Sequence, residues 1–115
     1  KDADLRLLNL KTGDTNCLEL VNSKDVESYH SWSSNGCWFV FSSRREDGLY
    51  TRPYIAHIDK DGNLSKPFLL PQANPDYYDL SLFSFNIPEL VKNAIEVDNY
   101  ELVQTSKYGK ATKIK

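Results

Sequence analysis

An unbroken apolar run, CWFVF at residues 37–41, lies between a turn-forming segment at residues 34–36 and a charged loop that starts at residue 44. A strand that is exposed on one face alternates apolar with polar residues, whereas a strand covered on both faces can be apolar throughout. The Asn-Gly pair just before the run is a strong former of tight hairpin turns. The sequence therefore predicts a strand over residues 37–42 with material on both faces, and the side chains expected to be buried are Trp38, Phe39, Val40 and Phe41.

Two hairpins of similar design flank this strand. Residues 5–20 read as two short strands around a turn at Gly13, and residues 54–70 repeat that layout around Gly62. Glycine supplies the positive backbone angle that a tight turn needs at little steric cost. A short strand at residues 30–33 precedes the central run, so the pattern predicts an antiparallel four-stranded unit that follows half of another such unit.

The central segment resembles a known repeat. SWSSNGCWFVFSSRREDG is similar to the S-W-S-P-D-G-K-x-I-A-F-x-S-x-R-x-G signature of the TolB-like β-propeller repeats, which are related in layout to WD repeats. LRLLNLKTGDTNCLEL resembles the second half of that repeat, and SSRREDGLYTRPY, DKDGNLSKPFLLPQ and the YYD that follows resemble the last blade and tail of exported Bacteroidetes members. The resemblance covers about residues 5–90. The usual Pro and Asp of the turn are replaced here by Ser34 and Asn35.

The resemblance implies an all-β fold with an antiparallel, four-stranded, propeller-blade-like sheet. Residues 1–72 would form about one and a half blades, and residues 73–115 a short, partly helical C-terminal tail that packs on the sheet or extends from it. It also implies a protein of the periplasm or cell envelope that binds another protein and is not an enzyme. Because one and a half blades leave apolar faces open, we expect either self-association or a tail folded back over the sheet.

The tail sequence indicates where helices and covering side chains lie. Asn74, Pro75 and Asp76 predict the start of a short helix, since asparagine caps well and proline suits the first helical position. Residues 86–95 permit a further helical turn or two, and YELVQT from residue 100 predicts another strand. The aromatic residues expected to cover the sheet are Tyr77, Tyr78, Phe83 and Phe85.

Charge and cysteine content argue against several kinds of ligand. The 14 basic and 16 acidic residues give a net charge of −2, which provides no field to attract nucleic acid. No apolar run approaches the roughly 20 residues of a membrane span. Cys17 and Cys37 lack the paired spacing of a zinc site. We therefore expect no nucleic acid, no membrane span, no metal and no cofactor, and two free thiols in preference to a disulfide.

No catalytic motif is present in the sequence. His30 and His57 lie in predicted strands, where a hydrogen-bonded structural histidine is the favoured interpretation, and no nucleophile has the G-x-S-x-G surroundings of a hydrolase. DKDG at residues 59–62 resembles the start of a calcium loop, but Leu70 stands where the closing glutamate should be. The sequence therefore predicts no catalytic residue.

The best candidate for a binding surface is one end of the predicted sheet. In an up-and-down sheet, residues 21–30 and 44–52 lie at the same end, and the Asn35-Gly36 and Asp61-Gly62 turns lie at the opposite end. Arginine and tyrosine are enriched at protein contact sites, whereas the alternative is a solvated loop in which Arg45 and Asp47 pair weakly. The predicted partner-binding residues are Tyr29, Arg44, Arg45, Tyr50 and Arg52.

Two other functions remain open at this point. Related propellers precede the hydrolase domain of prolyl-oligopeptidase-like peptidases, so the chain is alternatively an accessory region of such an enzyme. A carbohydrate-binding β domain is the other alternative, and it requires Trp32 or Trp38 to be exposed as a platform. A propeller blade instead buries Trp38.

Overall fold

Two antiparallel sheets and two short helices form the described part of the chain, which in this computed structural model comprises residues 3–110. The predicted units cover residues 1–72 and 73–115, and of these, residues 1, 2 and 111–115 lie outside the described part of the chain. The first sheet is a hairpin of β1 (Arg6–Leu8) and β2 (Thr15–Cys17). The second has four strands in sequential order: β3 (Glu27–Trp32), β4 (Trp38–Ser43), β5 (Arg52–His57) and β6 (Phe68–Leu69). The helices are α1 (Tyr77–Leu80) and α2 (Asn99–Tyr108), and neither is long and apolar enough to cross a membrane.

The fold is thus mostly β, and the predicted four-stranded antiparallel sheet is confirmed. β4 lies at its centre and pairs with β3 on one side and β5 on the other. Phe39, Val40 and Phe41 are all buried although they alternate between the two faces, so both faces of the strand are covered, as the apolar run predicts. The expectation that Trp38 is buried is wrong: it is the first residue of the strand, next to the turn, where it is 37% exposed and packs against His57.

One face of the sheet, the hairpin face, contacts the β1–β2 hairpin. Phe39 and Phe41 of β4 form a buried cluster there with Tyr54 and Ala56 of β5. Side chains from the hairpin and from the segment that follows it complete this cluster. They are the buried residues Leu18 and Val21 and the partly buried residues Leu5 and Leu7.

The opposite face, the tail face, is crossed by the chain after α1. The Ser42 hydroxyl donates a hydrogen bond to the Phe85 carbonyl at 3.0 Å, and the Leu90 amide donates to the Ser31 hydroxyl at 3.3 Å. Ser31 pairs directly with Val40, so both contacts lie on the same face as that side chain. The tail residues between these two contacts therefore lie over the centre of the sheet.

The tail aromatics contribute unequally to this cover. Tyr78 is buried, and its hydroxyl donates to the Leu70 carbonyl at 2.8 Å. Phe85 is half-buried, and its ring centre lies 5.6 Å from that of Tyr78. Tyr77 is partly exposed and packs on both of these rings. The expectation for Phe83 is wrong, because its side chain is 72% exposed, although its carbonyl accepts a hydrogen bond from the buried Arg52.

Two local predictions for the tail are also wrong. The strand expected from residue 100 is α2, where the Asp98 side chain accepts a hydrogen bond from the Tyr100 amide and caps the helix. No helix forms over residues 86–95. There the ring of Pro88 disfavours helical geometry at Ile87, whose φ is 58°.

β3 begins at Glu27, three positions before the predicted start at His30. Its pairing with β4 shifts between Ser28 and Ser31, and Tyr29 in this bulge has a φ of 51°. A bulge of this kind redirects the side chains around it. Tyr29 consequently projects from the strand, and its side chain is largely exposed.

Removing the tail is expected to destabilise the sheet. A chain that ends at Gln72 loses the Tyr78 and Phe85 contacts and uncovers Val40 on the tail face. Newly exposed apolar surface favours association, so the shortened chain should self-associate in sedimentation experiments and melt roughly 5–10 °C lower. A shortened chain that stayed monomeric with an unchanged melting temperature would show that the sheet needs no cover on this face.

Candidate functional site

The loop from β4 to β5 and the segment that leads into β3 meet at one end of the sheet, as the up-and-down arrangement predicts. The Arg44 amide donates to the Val26 carbonyl at 3.3 Å, and Nη2 of Arg45 donates to the Val21 carbonyl at 2.6 Å. At the other end, the Ile58 amide donates to the Cys37 carbonyl at 2.8 Å, close to the two glycine turns. The predicted binding loops are therefore neighbours.

The Arg45 side chain points into the interior of the protein at this end of the sheet. Its Nη2 lies 3.2 Å from Oε1 of Glu27, whose side chain is 0% exposed. Its guanidinium carbon also lies 4.4 Å from the ring centre of Tyr54. The alternative pairing of Arg45 with Asp47 does not form, because Arg45 pairs with Glu27 instead. Oδ1 of Asp47 accepts the amides of Leu49 and Tyr50, both at 2.8 Å. These two bonds hold the pKa of Asp47 below its usual value.

Glu27 is the residue that sequence reasoning missed. Its carboxylate accepts hydrogen bonds from the Ser23 amide at 3.0 Å, the Ser23 hydroxyl at 2.6 Å and the Ser43 hydroxyl at 2.8 Å, besides the Arg45 contact. A buried carboxylate is stable only when it is paired and hydrogen-bonded in this way. Nothing in the polar segment around Glu27 signals that burial.

Arg52 ties the tail to the sheet. Its Nη2 donates to the Tyr78 carbonyl at 2.7 Å and its Nη1 to the Phe83 carbonyl at 3.1 Å, and the residue is only 6% exposed. Its guanidinium carbon also lies 5.2 Å from the ring centre of Tyr50. Both arginines with buried partners therefore have structural roles, and they leave Arg44 as the exposed arginine of the predicted set.

Tyr29 is separated from the other predicted residues and lines a groove between β1 and β3. This hairpin groove has a volume of about 530 Å³. Its floor is Phe39, and the Trp32 ring, 39% exposed, lies 4.9 Å from the Phe39 ring. The run LRLLNL places Leu7 and Leu8 on opposite faces of β1, but the sequence does not show that β1 lies beside β3. The principal apolar lining residues are Leu7, Leu8, Leu10, Tyr29, Trp32 and Phe39.

The structure also locates the residues considered for catalysis and metal binding. His57 packs against Trp38, with ring centres 4.7 Å apart, and His30 lies at the hairpin groove. Cys17 is exposed and Cys37 half-buried, and both are free thiols. Over residues 3–110, no group of three or more His, Cys, Asp or Glu side chains is placed to hold a metal ion. Comparison of the chain with protein-family models, with curated proteins and with solved structures found no match.

The phenol of Tyr54 is expected to make stability depend on alkaline pH. Burial raises its pKa above the usual 10.0, and its hydrogen bond to Oε1 of Glu46 raises the pKa further. Above pH 10 the unfolded chain ionises this hydroxyl while the folded chain keeps it protonated, so stability falls as the pH rises. Urea titrations from pH 9 to 11 should show a shallower fall for Tyr54→Phe than for the wild type. Tyr108→Phe, at an exposed site, should keep the wild-type slope; equal slopes in all three chains would contradict the assignment.

Proposed function

We propose that the chain is a non-enzymatic protein-binding module of the cell envelope or periplasm, and that its four-stranded sheet is a blade of a TolB-like propeller. The sequential antiparallel order of β3 to β6 and the cover on both faces of β4 support the blade assignment. The resemblance of residues 31–48 to the repeat signature supports it further, and that resemblance is the basis for the proposed location.

The observation that carries the binding proposal is the open hairpin groove. Its walls hold the exposed aromatic rings of Tyr29 and Trp32 and the exposed side chains of Leu8 and Leu10. Aromatic side chains around an apolar floor are typical of the centre of protein–protein interfaces. Contiguous apolar surface of this kind on a soluble domain marks an interaction site.

Site-specific photocrosslinking tests the proposal. A benzophenone amino acid replaces Leu8 in the groove of the full chain or, as the matched control, Leu82, an exposed leucine after α1 that lies outside the groove and outside residues 44–52. Irradiation in native cells should give discrete protein adducts from position 8, because a bound partner lies against it. Adducts no more abundant from position 8 than from position 82 would refute the proposal.

A carbohydrate-binding function is the second candidate, favoured by the partial exposure of Trp32 and Trp38. Trp32 pairs with Phe39, the neighbour of Trp38 on β4, so the two indoles lie on opposite faces and cannot form one platform. Titration with cell-wall oligosaccharides, followed by tryptophan fluorescence, discriminates the candidates. Saturable quenching that Trp32→Ala or Trp38→Ala abolishes would favour the sugar-binding function over the protein-binding one.

A further inference from the structure

The turn of the β1–β2 hairpin has a distinctive hydrogen-bond pattern. The Asn9 amide donates to the Asp14 carbonyl at 2.9 Å and closes the turn. The side-chain Oδ1 of Asn9 accepts the Lys11 amide at 2.9 Å. Gly13, the residue before Asp14, has a φ of 79°. An Asx side chain thus opens the turn, and a glycine with positive φ precedes its last residue.

The turn between β5 and β6 repeats this pattern. The Asp59 amide donates to the Asn63 carbonyl at 3.0 Å, Oδ1 of Asp59 accepts the Asp61 amide at 2.9 Å, and Gly62 has a φ of 87°. The hydrogen bonds that the Asp59 carboxylate accepts from the side chain and amide of Asn63, and from the Asp61 amide, lower its pKa. The two turns differ in length, with four residues between Asn9 and Asp14 and three between Asp59 and Asn63. In both hairpins an Asx residue follows the first strand and closes the turn, so β1 corresponds to β5.

The corresponding strands β1 and β5 differ at the edge that lies away from their hairpin partners, β2 and β6. β5 pairs there with β4 over six residue pairs, from Trp38–His57 to Ser43–Arg52. Among the described residues, β1 pairs only with β2. The chain itself thus shows what completes a hairpin of this kind, namely a further antiparallel strand that is rich in aromatic residues.

The register of β1 identifies which main-chain groups are available. The Leu18 amide donates to the Leu5 carbonyl and the Asn9 amide to the Asp14 carbonyl, so hydrogen-bonded pairs alternate along the hairpin from these positions. In an antiparallel pair, the residues between hydrogen-bonded positions direct their N–H and C=O groups to the other side. The amides and carbonyls of Arg6 and Leu8 therefore point to the open edge, which is the edge that the hairpin groove follows.

We propose that the hairpin groove receives an extended β-strand of a partner protein, which pairs with the open edge of β1 and places alternate apolar side chains on Phe39. This deepens the proposed function and rests on it, because it names the partner element of the same groove. Strand addition to a free sheet edge is an established mode of recognition, in which main-chain bonds give affinity and pockets for alternate side chains give specificity. β4, which occupies the equivalent edge of β5, indicates the side chains that such a strand carries.

A synthetic peptide tests the pairing. It carries the sequence of residues 38–43, WFVFSS, between terminal lysines that keep it soluble. It is titrated into the ¹⁵N-labelled full chain, and two control peptides with the same side chains are N-methylated at alternate residues in the two possible phases. The parent peptide should bind saturably and slow hydrogen exchange at the Arg6 and Leu8 amides. One methylated phase should bind about tenfold more weakly, because it loses hydrogen bonds to β1.

A variant pair tests the same edge from the protein side. Arg6→Pro removes one outward N–H, and Arg6→Ala is the control that keeps it. The proline variant should bind the peptide about tenfold more weakly and the alanine variant as the wild type does. Equal affinity for all three peptides, or no binding of the parent peptide, would overturn the strand proposal even if Arg6→Pro fails to fold. If either of these results is obtained but photocrosslinking at position 8 still gives protein adducts, the groove is a protein interface that does not bind a β-strand. If photocrosslinking at position 8 gives no adducts, the proposed protein-binding function itself is refuted.

Discussion

Replacing Arg45 with alanine is expected to lower the free energy of unfolding by about 3–5 kcal/mol, since it leaves the Glu27 carboxylate buried without its cationic partner. The variant also removes the hydrogen bond to the Val21 carbonyl and the packing on the Tyr54 ring. Urea denaturation at pH 7 measures the change. The adjacent Arg44→Ala is the matched control, because that side chain is exposed, and its effect should stay within about 0.5 kcal/mol.

A double variant separates the buried charge from the lost packing. Glu27→Leu together with Arg45→Met removes both charges and keeps apolar volume, so it should recover part of the stability that Arg45→Ala loses. The recovery should be incomplete, because the Ser23 amide and the buried Ser43 hydroxyl lose their acceptor. If Arg45→Ala costs less than about 1 kcal/mol, the ion pair is not what stabilises this end of the sheet.

The two adjacent arginines show where sequence reasoning reaches its limit. RR at residues 44–45 predicts two charged side chains in a loop, both of them on a binding surface. Only the three-dimensional position of Glu27, eighteen residues away from Arg45 in sequence, determines that Arg45 turns inward. Arg52 is turned inward in the same way by two carbonyls of the tail. Long-range polar contacts of this kind leave no periodic signal in a sequence.

The features that sequence did predict are local ones. The central strand follows from an apolar run that cannot be exposed, and its turn follows from Asn35-Gly36, where Gly36 has a φ of 68°. The two hairpins follow from glycine positions within short apolar segments. The hairpin groove could not be predicted in this way, because it depends on where β1 lies relative to β3. The strand predicted from residue 100 does not form, because the Asp98 side chain caps a helix there.

Phe41→Ala is expected to have the second large effect, a loss of about 3–5 kcal/mol in the free energy of unfolding. The side chain is 0% exposed at the centre of the sheet. Its ring centre lies 5.9 Å from that of Phe39 and 6.0 Å from that of Tyr54. Truncation removes the apolar area of a phenyl ring and leaves a cavity that β3 and β5, bonded to either side of the strand, prevent from collapsing. Urea denaturation with a single fitted slope measures the loss.

The matched control is Phe68→Ala on the edge strand β6, where the residue is about half exposed and the expected cost is below about 1 kcal/mol.

Phe41→Ala should also act non-additively with Arg45→Ala, because the Arg45 guanidinium carbon lies 5.5 Å from the Phe41 ring centre and contacts usually couple over such distances. The loss of stability in the double variant should therefore be smaller than the sum of the two single losses by about 0.5 kcal/mol or more. Strict additivity would mean that the buried ion pair and the aromatic cluster stabilise the sheet independently. Equal losses of stability for Phe41→Ala and Phe68→Ala would contradict the position of Phe41 in the core.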